Sequence, residues 1–405
     1  VLFLALCALV TAPCASAAEG CTRLQSRLVS GGGQASGLFV LDADTGKVLC
    51  SRAPSRRFSL ASNMKLFTTA TAIARLGPQT RIPTKVEETG RLDDHGVLDG
   101  SLYLVGGGDP ALGTPAFYDR FLGGFGTNLY ALTGKVRAAG ISAVRGRLYA
   151  DDTIFDRLRG VPDSGYATSP YIGPLSGLAF DDGFSSSSAT SFATDPARVA
   201  ASKLAHSLDA AGVNIRTQVA LAKAPPDAET VAVVRSPTIA RIAQATNVPS
   251  NNYDAETLIK LLGARFGTAG STAAGAAVVT QYARSEGSYV HAVDGSGLTR
   301  TGKASTAEVA RFLQAVRAEP YGQDFVDSLA VAGREGTVAD RMEGTAAAGR
   351  CRVKTGTLTG VSALSGYCFN ASGRTMIFSI LMNGVSDLSL AHLEQDRIAA
   401  AVASY

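Results

Sequence analysis

The sequence predicts an α/β domain interrupted by an inserted β-rich domain, and three observations lead there. Strand-forming segments occur near both ends of the chain, at residues 37–42 and 47–50 and again between residues 351 and 382. Helical patterns begin at Ser62 and return at about Thr238. Between about Ile82 and Val234 the texture changes to short apolar runs separated by Gly, Asp and Pro. End strands of this kind pair in one antiparallel sheet, which leaves the foreign middle as an insertion. At 405 residues, 46% hydrophobic and 18% charged, the chain exceeds one typical domain and has ample apolar material for a core. Its net charge of +4 is spread out with no Lys/Arg run, which excludes the electrostatic footprint of a nucleic-acid binder.

Taken in order, residues 1–10 form an apolar run too short to span a bilayer, followed by Ala15-Ser16-Ala17, an A-x-A cleavage site. Residues 1–18 are therefore expected to be a signal peptide, and the protein to be exported to the periplasm or another extracytoplasmic compartment of the envelope. Cys14 follows Thr11-Ala12-Pro13, a poor lipobox, and no later segment reaches the ~18 consecutive apolar residues of a membrane span, so no anchor is expected. Four cysteines remain after the signal, an even number that suggests two disulfides in an exported chain. The segments 351–357 and 361–369 read as antiparallel strands turning near Thr359-Gly360, which sets Cys351 opposite Cys368 at bridging distance. Cys21 and Cys50 then pair by elimination. Zinc is the competing reading, but there is no C-x-x-C, and His95, His206, His291 and His392 are scattered; no metal or other cofactor is expected.

Residues 21–30 suit one short helix, and the segments 37–42 and 47–50 flank Ala43-Asp44-Thr45-Gly46 as a hairpin. From Ser62 the apolar residues Leu66, Phe67, Ala70, Ile73 and Leu76 share a helical face until Gly77-Pro78 stops it. The inserted domain is placed at residues 83–234, with an exposed loop at the serine tract 185–188 and a helix over about 195–211. The interrupted domain comprises residues 19–82 and 235–405, and ends in strands 361–369 and 375–382 and a helix from about Leu388.

Serine is a weak nucleophile that needs a base within reach. In Ser62-Asn63-Met64-Lys65 the hydroxyl and the amine lie three residues apart at a helix start, hence on one face. The helix N-terminus adds positive potential for a developing oxyanion. Ser250-Asn251-Asn252 follows between two helical stretches, and Lys354-Thr355-Gly356-Thr357 lies on a strand. Each motif alone has a bland reading: a chance S-x-x-K, an N-cap, an exposed strand. Their order and contexts together carry the weight.

The trio resembles that of the penicillin-recognising serine enzymes. Further phrases make the chain similar to the class C low-molecular-mass penicillin-binding proteins, the D-alanyl-D-alanine carboxypeptidase/endopeptidase family (peptidase S13). These are Gly106-Gly107-Gly108-Asp109-Pro110, Asp152-Thr153-Ile154-Phe155, Pro174-Leu175-Ser176-Gly177-Leu178, Asp294-Gly295-Ser296-Gly297-Leu298-Thr299-Arg300 and Ala332-Gly333-Arg334-Glu335-Gly336-Thr337.

The resemblance implies a fold and a set of roles. The fold is a β-lactamase/penicillin-binding-protein transpeptidase-like domain, an antiparallel sheet flanked by helices plus an all-helical subdomain. Ser62 would attack the carbonyl of the penultimate D-Ala with Lys65 as base, Ser250 and Lys354 would relay the proton to the leaving D-amino acid, and Asn252 would bind the substrate amide. The N–H groups of Ser62 and Thr357 would form the oxyanion hole. Thr355, Thr357 and Lys354, around Gly356, would hold the terminal carboxylate. Asp152, Arg300 and Leu358 match the positions that grip a diaminopimelate side chain. The partners implied are peptidoglycan stem peptides, with β-lactams as covalent inhibitors; the oligomeric state is left open. The interval between Ser62 and Ser250 is shorter than in the best-known members, so a third domain nested in the insertion is expected to be absent or reduced to a loop. A β-lactamase shares the three motifs, but no deacylating Glu signature is evident. A catalytically silent muropeptide-binding protein fits less well, because every catalytic position is filled. A Ser-His-Asp esterase lacks its G-x-S-x-G.

Overall fold

The computed structural model describes residues 17–186 and 188–405. The signal-peptide reading of residues 1–18 falls almost wholly outside them. Two sheets organise the described residues. The first has six antiparallel strands, in the order Ala330–Val331, Cys351–Leu358, Val361–Phe369, Thr375–Asn383, Ser36–Asp42, Val48–Arg52, so the two ends of the chain meet between Thr375–Asn383 and Ser36–Asp42.

Side chains alternate across a strand, and here both faces are covered. Leu38, Val40, Val353, Leu364, Phe378 and Ile380 point to one side, where they meet Leu24 and Leu28 of helix Ala17–Gly32 and Ile398 and Val402 of helix Leu388–Val402. Phe39, Leu41, Ala363, Tyr367, Ile377 and Leu381 point to the other. There they pack with residues such as Phe67, Ile242, Leu258, Val279 and Phe312 from helices Met64–Leu76, Ile239–Asn247, Asn252–Phe266, Thr272–Ser285 and Thr306–Ala318. Each large side chain so buried contributes about 1.5–3 kcal/mol, which makes the central strands a rigid base for whatever they carry. Two disulfides brace this layer. Cys21–Cys50 ties the first helix to the edge strand, and Cys351–Cys368 joins directly opposed residues of neighbouring strands.

The second sheet is mixed, in the order Ala220–Leu221, Leu148–Asp151, Val97–Val105, Arg81–Leu92, Glu229–Thr238. Its core of Val86, Leu98, Leu102, Leu104 and Leu148 is covered by Leu132, Val136, Ala197, Leu204 and Leu208. The latter come from helices Ala131–Ala138 and Pro196–Ala210, the second N-capped by Asp195. A further helix, Pro115–Phe121, also lies in the stretch expected to be β-rich. The outgoing strand Arg81–Leu92 and the returning strand Glu229–Thr238 are hydrogen-bonded neighbours, so the chain leaves and re-enters the first layer at one place. The described serine-tract residues lie between bridged Phe184 and Phe192, whose rings stack. Among the described residues no helix is long and apolar enough to cross a membrane.

Candidate active site

Ser62 sits in the 3-10 turn Ala61–Asn63 that feeds directly into helix Met64–Leu76. The turn is pinned to the strand Cys351–Leu358 because Asn63 Nδ2 donates to the Lys354 carbonyl at 3.0 Å. One helical turn on, the fully buried Lys65 reaches back, and its Nζ makes three contacts: Ser62 Oγ at 3.0 Å, Asn252 Oδ1 at 2.7 Å and the Ser296 carbonyl at 2.9 Å. Burial pulls the Lys65 ammonium down to about 7, although Asp294, Glu256 and Asp254 push the other way. A neutral amine has two N–H groups and one lone pair. Two of the three neighbours are carbonyl oxygens that only accept, so the lone pair is left for the one neighbour that carries a transferable proton, the Ser62 hydroxyl.

Ser250 and Asn252 come from the loop joining helices Ile239–Asn247 and Asn252–Phe266. Ser250 takes a left-handed backbone conformation (φ +64°), which turns the chain sharply before Asn251 caps the second helix by accepting from Asp254 N–H. Asn252 is not presented to the cleft with a free amide. Its oxygen holds Lys65, and its Nδ2 donates to the Tyr171 carbonyl at 3.0 Å, so in this state it connects the base to a loop between the two strands-rich layers.

A cleft of about 500 Å³ opens over Ser62, lined by Ser250 and Asn252 on one side and by Thr355, Gly356, Thr357 and Leu358 on the other. Tyr171, Gly297, Leu298, Arg300, Thr337 and Thr359 complete the wall. The strand passes very close to the turn, since a Cβ on Gly356 would stand 3.0 Å from Ser62 N and 2.9 Å from the Leu60 carbonyl. Its pairing with Ala330–Val331 ends at Val353, so from Lys354 onward the strand has a sheet partner on one side only. Such an edge offers backbone N–H and C=O groups to an extended peptide. Thr357 is exposed there, and Thr355 shares a 2.7 Å hydroxyl contact with Thr337. Lys354 is buried behind the cleft, with Nζ donating to the Thr355 carbonyl; burial and then the Lys65 charge hold it well below the usual lysine range.

The Asp152, Arg300 and Leu358 set is only partly assembled. Arg300 and Leu358 line the cleft, and the Arg300 guanidinium donates to the Thr359 carbonyl at 2.8 Å. Asp152 is buried outside the cleft lining, its Oδ2 taken by Arg159 at 3.0 Å and Ser176 Oγ at 2.9 Å. Residues that the motifs did not nominate include Tyr171 and Thr337 of the cleft lining and the buried Ser296, whose carbonyl holds Lys65. Thr337 and Ser296 lie inside the phrases that carry the family resemblance, whereas Tyr171 has no motif around it.

A model of the D-Ala-D-Ala carboxypeptidase 3 (S13) family matches residues 22–194 and 186–404. The chain is 32% identical to a D-alanyl-D-alanine carboxypeptidase of Actinomadura sp. (strain R39), over 92% of this chain and 82% of the relative. That alignment spans 456 positions, more than this chain has residues, so the relative contains residues with no counterpart here. It is 29% identical to a carboxypeptidase of Mycolicibacterium smegmatis, covering 85% and 75% of the two chains. Among solved structures, penicillin-binding protein 4 from Haemophilus influenzae superposes with a TM-score of 0.77 at 19% identity, covering 94% of this chain and 99% of the other. A predatory peptidoglycan endopeptidase from Bdellovibrio bacteriovorus gives 0.54 at 20% identity, covering 89% and 90%. The Haemophilus protein has also been solved complexed with a β-lactam, and the Bdellovibrio endopeptidase acylated by penicillin G.

Proposed function

The chain belongs to the D-Ala-D-Ala carboxypeptidase 3 (S13) family, and from that premise we propose that it is an exported serine D-Ala-D-Ala carboxypeptidase with endopeptidase activity on peptidoglycan stem peptides, acylated by β-lactams at Ser62. The observation that carries the reading is the Lys65 amine, 3.0 Å from Ser62 Oγ, with its other two contacts on carbonyl acceptors.

In the proposed mechanism Lys65 takes the Ser62 proton as Oγ bonds to the carbonyl carbon of the penultimate D-Ala, and the carbonyl electron pair moves onto its oxygen. The N–H groups of Ser62 and Thr357 receive that charge. Collapse breaks the C–N bond, and the leaving nitrogen takes the proton from Lys65 through Ser250, with Lys354 beside the path. Water then attacks the ester, releasing the shortened peptide and restoring the Ser62 hydroxyl. Thr355 and Thr357 hold the terminal carboxylate. Asn252 reaches the substrate amide only by releasing Tyr171, and Asp152 joins Arg300 and Leu358 around a diaminopimelate side chain only by giving up Arg159 and Ser176. Residues 83–234 are read as an inserted domain without a nested third one, supported by their separate core and by the unmatched residues of the Actinomadura relative. The two disulfides support export, since such bonds persist in oxidising compartments.

Labelling with a fluorescent penicillin, comparing the wild type with Ser62→Ala, tests the nucleophile: covalent label is expected on the first and absent from the second. Mass spectrometry of muropeptides after incubation should show loss of terminal D-Ala and cleavage of cross-links. Penicillin turnover at tens per second, within the ordinary range for enzymes, would instead assign a β-lactamase.

A further inference from the structure

Beside Lys65 and against the Ser62 turn, the loop Asp294 to Thr299 is folded by two buried carboxyl groups that no step of the mechanism uses. Glu256, on helix Asn252–Phe266 one turn beyond Asn252, accepts two backbone N–H groups on a single oxygen: Oε1 takes Gly295 N at 2.9 Å and Ser296 N at 2.7 Å. Its Oε2 is buried without a partner. Asp294 divides its work between both oxygens, Oδ1 accepting from Gly297 N at 2.8 Å and Oδ2 from Thr299 N at 2.6 Å. Glu256, Asp294 and Ser296 are all fully buried. Between these fixed N–H groups, the Ser296 carbonyl is aimed at Lys65 Nζ. Gly297 completes the bend at φ +83°, so close to Ala61 that a Cβ would meet its carbonyl oxygen at 1.8 Å; only glycine lets the loop lie against the Ser62 turn.

We propose that Glu256 and Asp294 are positioning residues for the base: they fix the Ser296 carbonyl so that it claims one Lys65 N–H and leaves the amine lone pair facing Ser62. The inference rests on the reading of Lys65 as base. A tetrahedral amine has one direction left once two N–H groups are fixed. Asn252 Oδ1 fixes one and Ser296 the other, and the remaining direction points at Ser62 Oγ. Loss of the Ser296 acceptor lets the amine rotate, so the proton transfer from Ser62 to Nζ is slowed, while Ser296 itself lies outside the cleft lining.

The unequal use of oxygens gives an unequal expectation. Glu256→Gln keeps an oxygen where Oε1 stands and puts its amide nitrogen where nothing was bonded, so the loop survives. Asp294→Asn keeps one acceptor and turns a donor toward a second N–H, so the loop opens. Stopped-flow acylation by fluorescent penicillin, with the rate constant and half-saturating concentration separated, is the test. Glu256→Gln is expected within about threefold of wild type in rate constant, by the one-oxygen argument. Glu256→Ala and Asp294→Asn are expected at least about tenfold slower, the scale of misplacing a catalytic group. The half-saturating concentration should be unchanged in the two Glu256 variants, whereas Asp294→Asn, whose lost bonds flank the cleft-lining Gly297 and Leu298, is compared on its rate constant alone. Equal losses in Glu256→Gln and Asp294→Asn would assign these groups a charge role and overturn the positioning claim, as would Ser62-dependent labelling at the wild-type rate constant in Glu256→Ala and Asp294→Asn. A variant that only misfolds in part changes the labelled fraction and not the rate constant. Label retained in Ser62→Ala would overturn the nucleophile assignment itself, and this inference with it.

Discussion

At the residue scale the site depends on spacing, and Gly356 shows how little room there is. A methyl group at this position must displace Ser62 N, the Leu60 carbonyl or the Ala61 side chain, all within about a van der Waals contact of the added carbon. The backbone there is not in the left-handed region, so the constraint is steric and not conformational. Gly356→Ala is therefore expected to push the strand from the Ser62 turn, at an overpacking cost of about 1–3 kcal/mol. It should also slow penicillin acylation by about a hundredfold, the scale of losing one oxyanion donor. A near-normal acylation rate would show that the distance between turn and strand is not what the glycine secures. Ser62, Lys65 and the K-T-G residues were legible in the sequence because each motif lies within one turn or one strand, where spacing alone fixes neighbours. Ser296 acts through its carbonyl and Tyr171 likewise, and a backbone oxygen leaves no mark on residue type. Asp152 was placed by its phrase, but the phrase does not say that the chain bends Arg159 back onto it.

At the scale of elements, the strand carrying Lys354 to Leu358 is held by eight register pairs to its neighbour, beginning with Cys351 opposite Cys368. The disulfide closes the hairpin at the end away from the cleft. Replacing both cysteines by Ala is expected to lower stability by about 3 kcal/mol, the entropic value for a loop of this length. The acylation rate should change by less than about twofold, since the turn contacts of Asn63 and Gly356 remain. Chemical denaturation and stopped-flow labelling measure the two; unchanged stability, or free thiols at both positions in the wild type, would remove the brace. This hairpin was legible because strong β-formers flank a Thr-Gly turn with cysteines at matching distances. Helix Pro115–Phe121 was missed although Thr114 caps it and Pro115 occupies its first turn, a start signal too short to stand out in a stretch otherwise patterned as strands. Helix Ala131–Ala138 carries Gly134 at its centre, which weakens its local signal, and it is stabilised instead by burying Leu132 and Val136 on the second sheet.

At the scale of the whole molecule, the two layers meet over buried acids whose protonation couples folding to pH. Asp109, Asp181 and Asp182 lie in the stretch between strands Arg81–Leu92 and Glu229–Thr238, and Asp254, Glu256 and Asp294 are buried around Lys65. Burial raises all six above the usual carboxylate range. Asp109 and Asp181 are pushed up to about 6. After burial, the Asp181 charge pushes Asp182 up further, and Asp182 in turn pushes Asp254 up. A carboxyl group raised in the fold keeps its proton where the unfolded chain has lost it. Its contribution is therefore full below the ordinary value of 3.8 and is lost as pH climbs through the folded value. Lys65, lowered from 10.5 to about 7, works in the opposite sense, since stability rises with pH between those values, and Lys354 follows it. The two signs are separable with one substitution. Asp182 has φ +52°, a conformation Asn tolerates, and Asn keeps the size of the side chain but cannot ionise. Asp182→Asn should therefore leave the melting temperature close to wild type at pH 4.5 and raise it relative to wild type at pH 8, where the native carboxylate is charged and buried. An equal gap between the two proteins at both pH values would mean that Asp182 does not titrate between them, and that its burial costs the fold nothing that depends on pH.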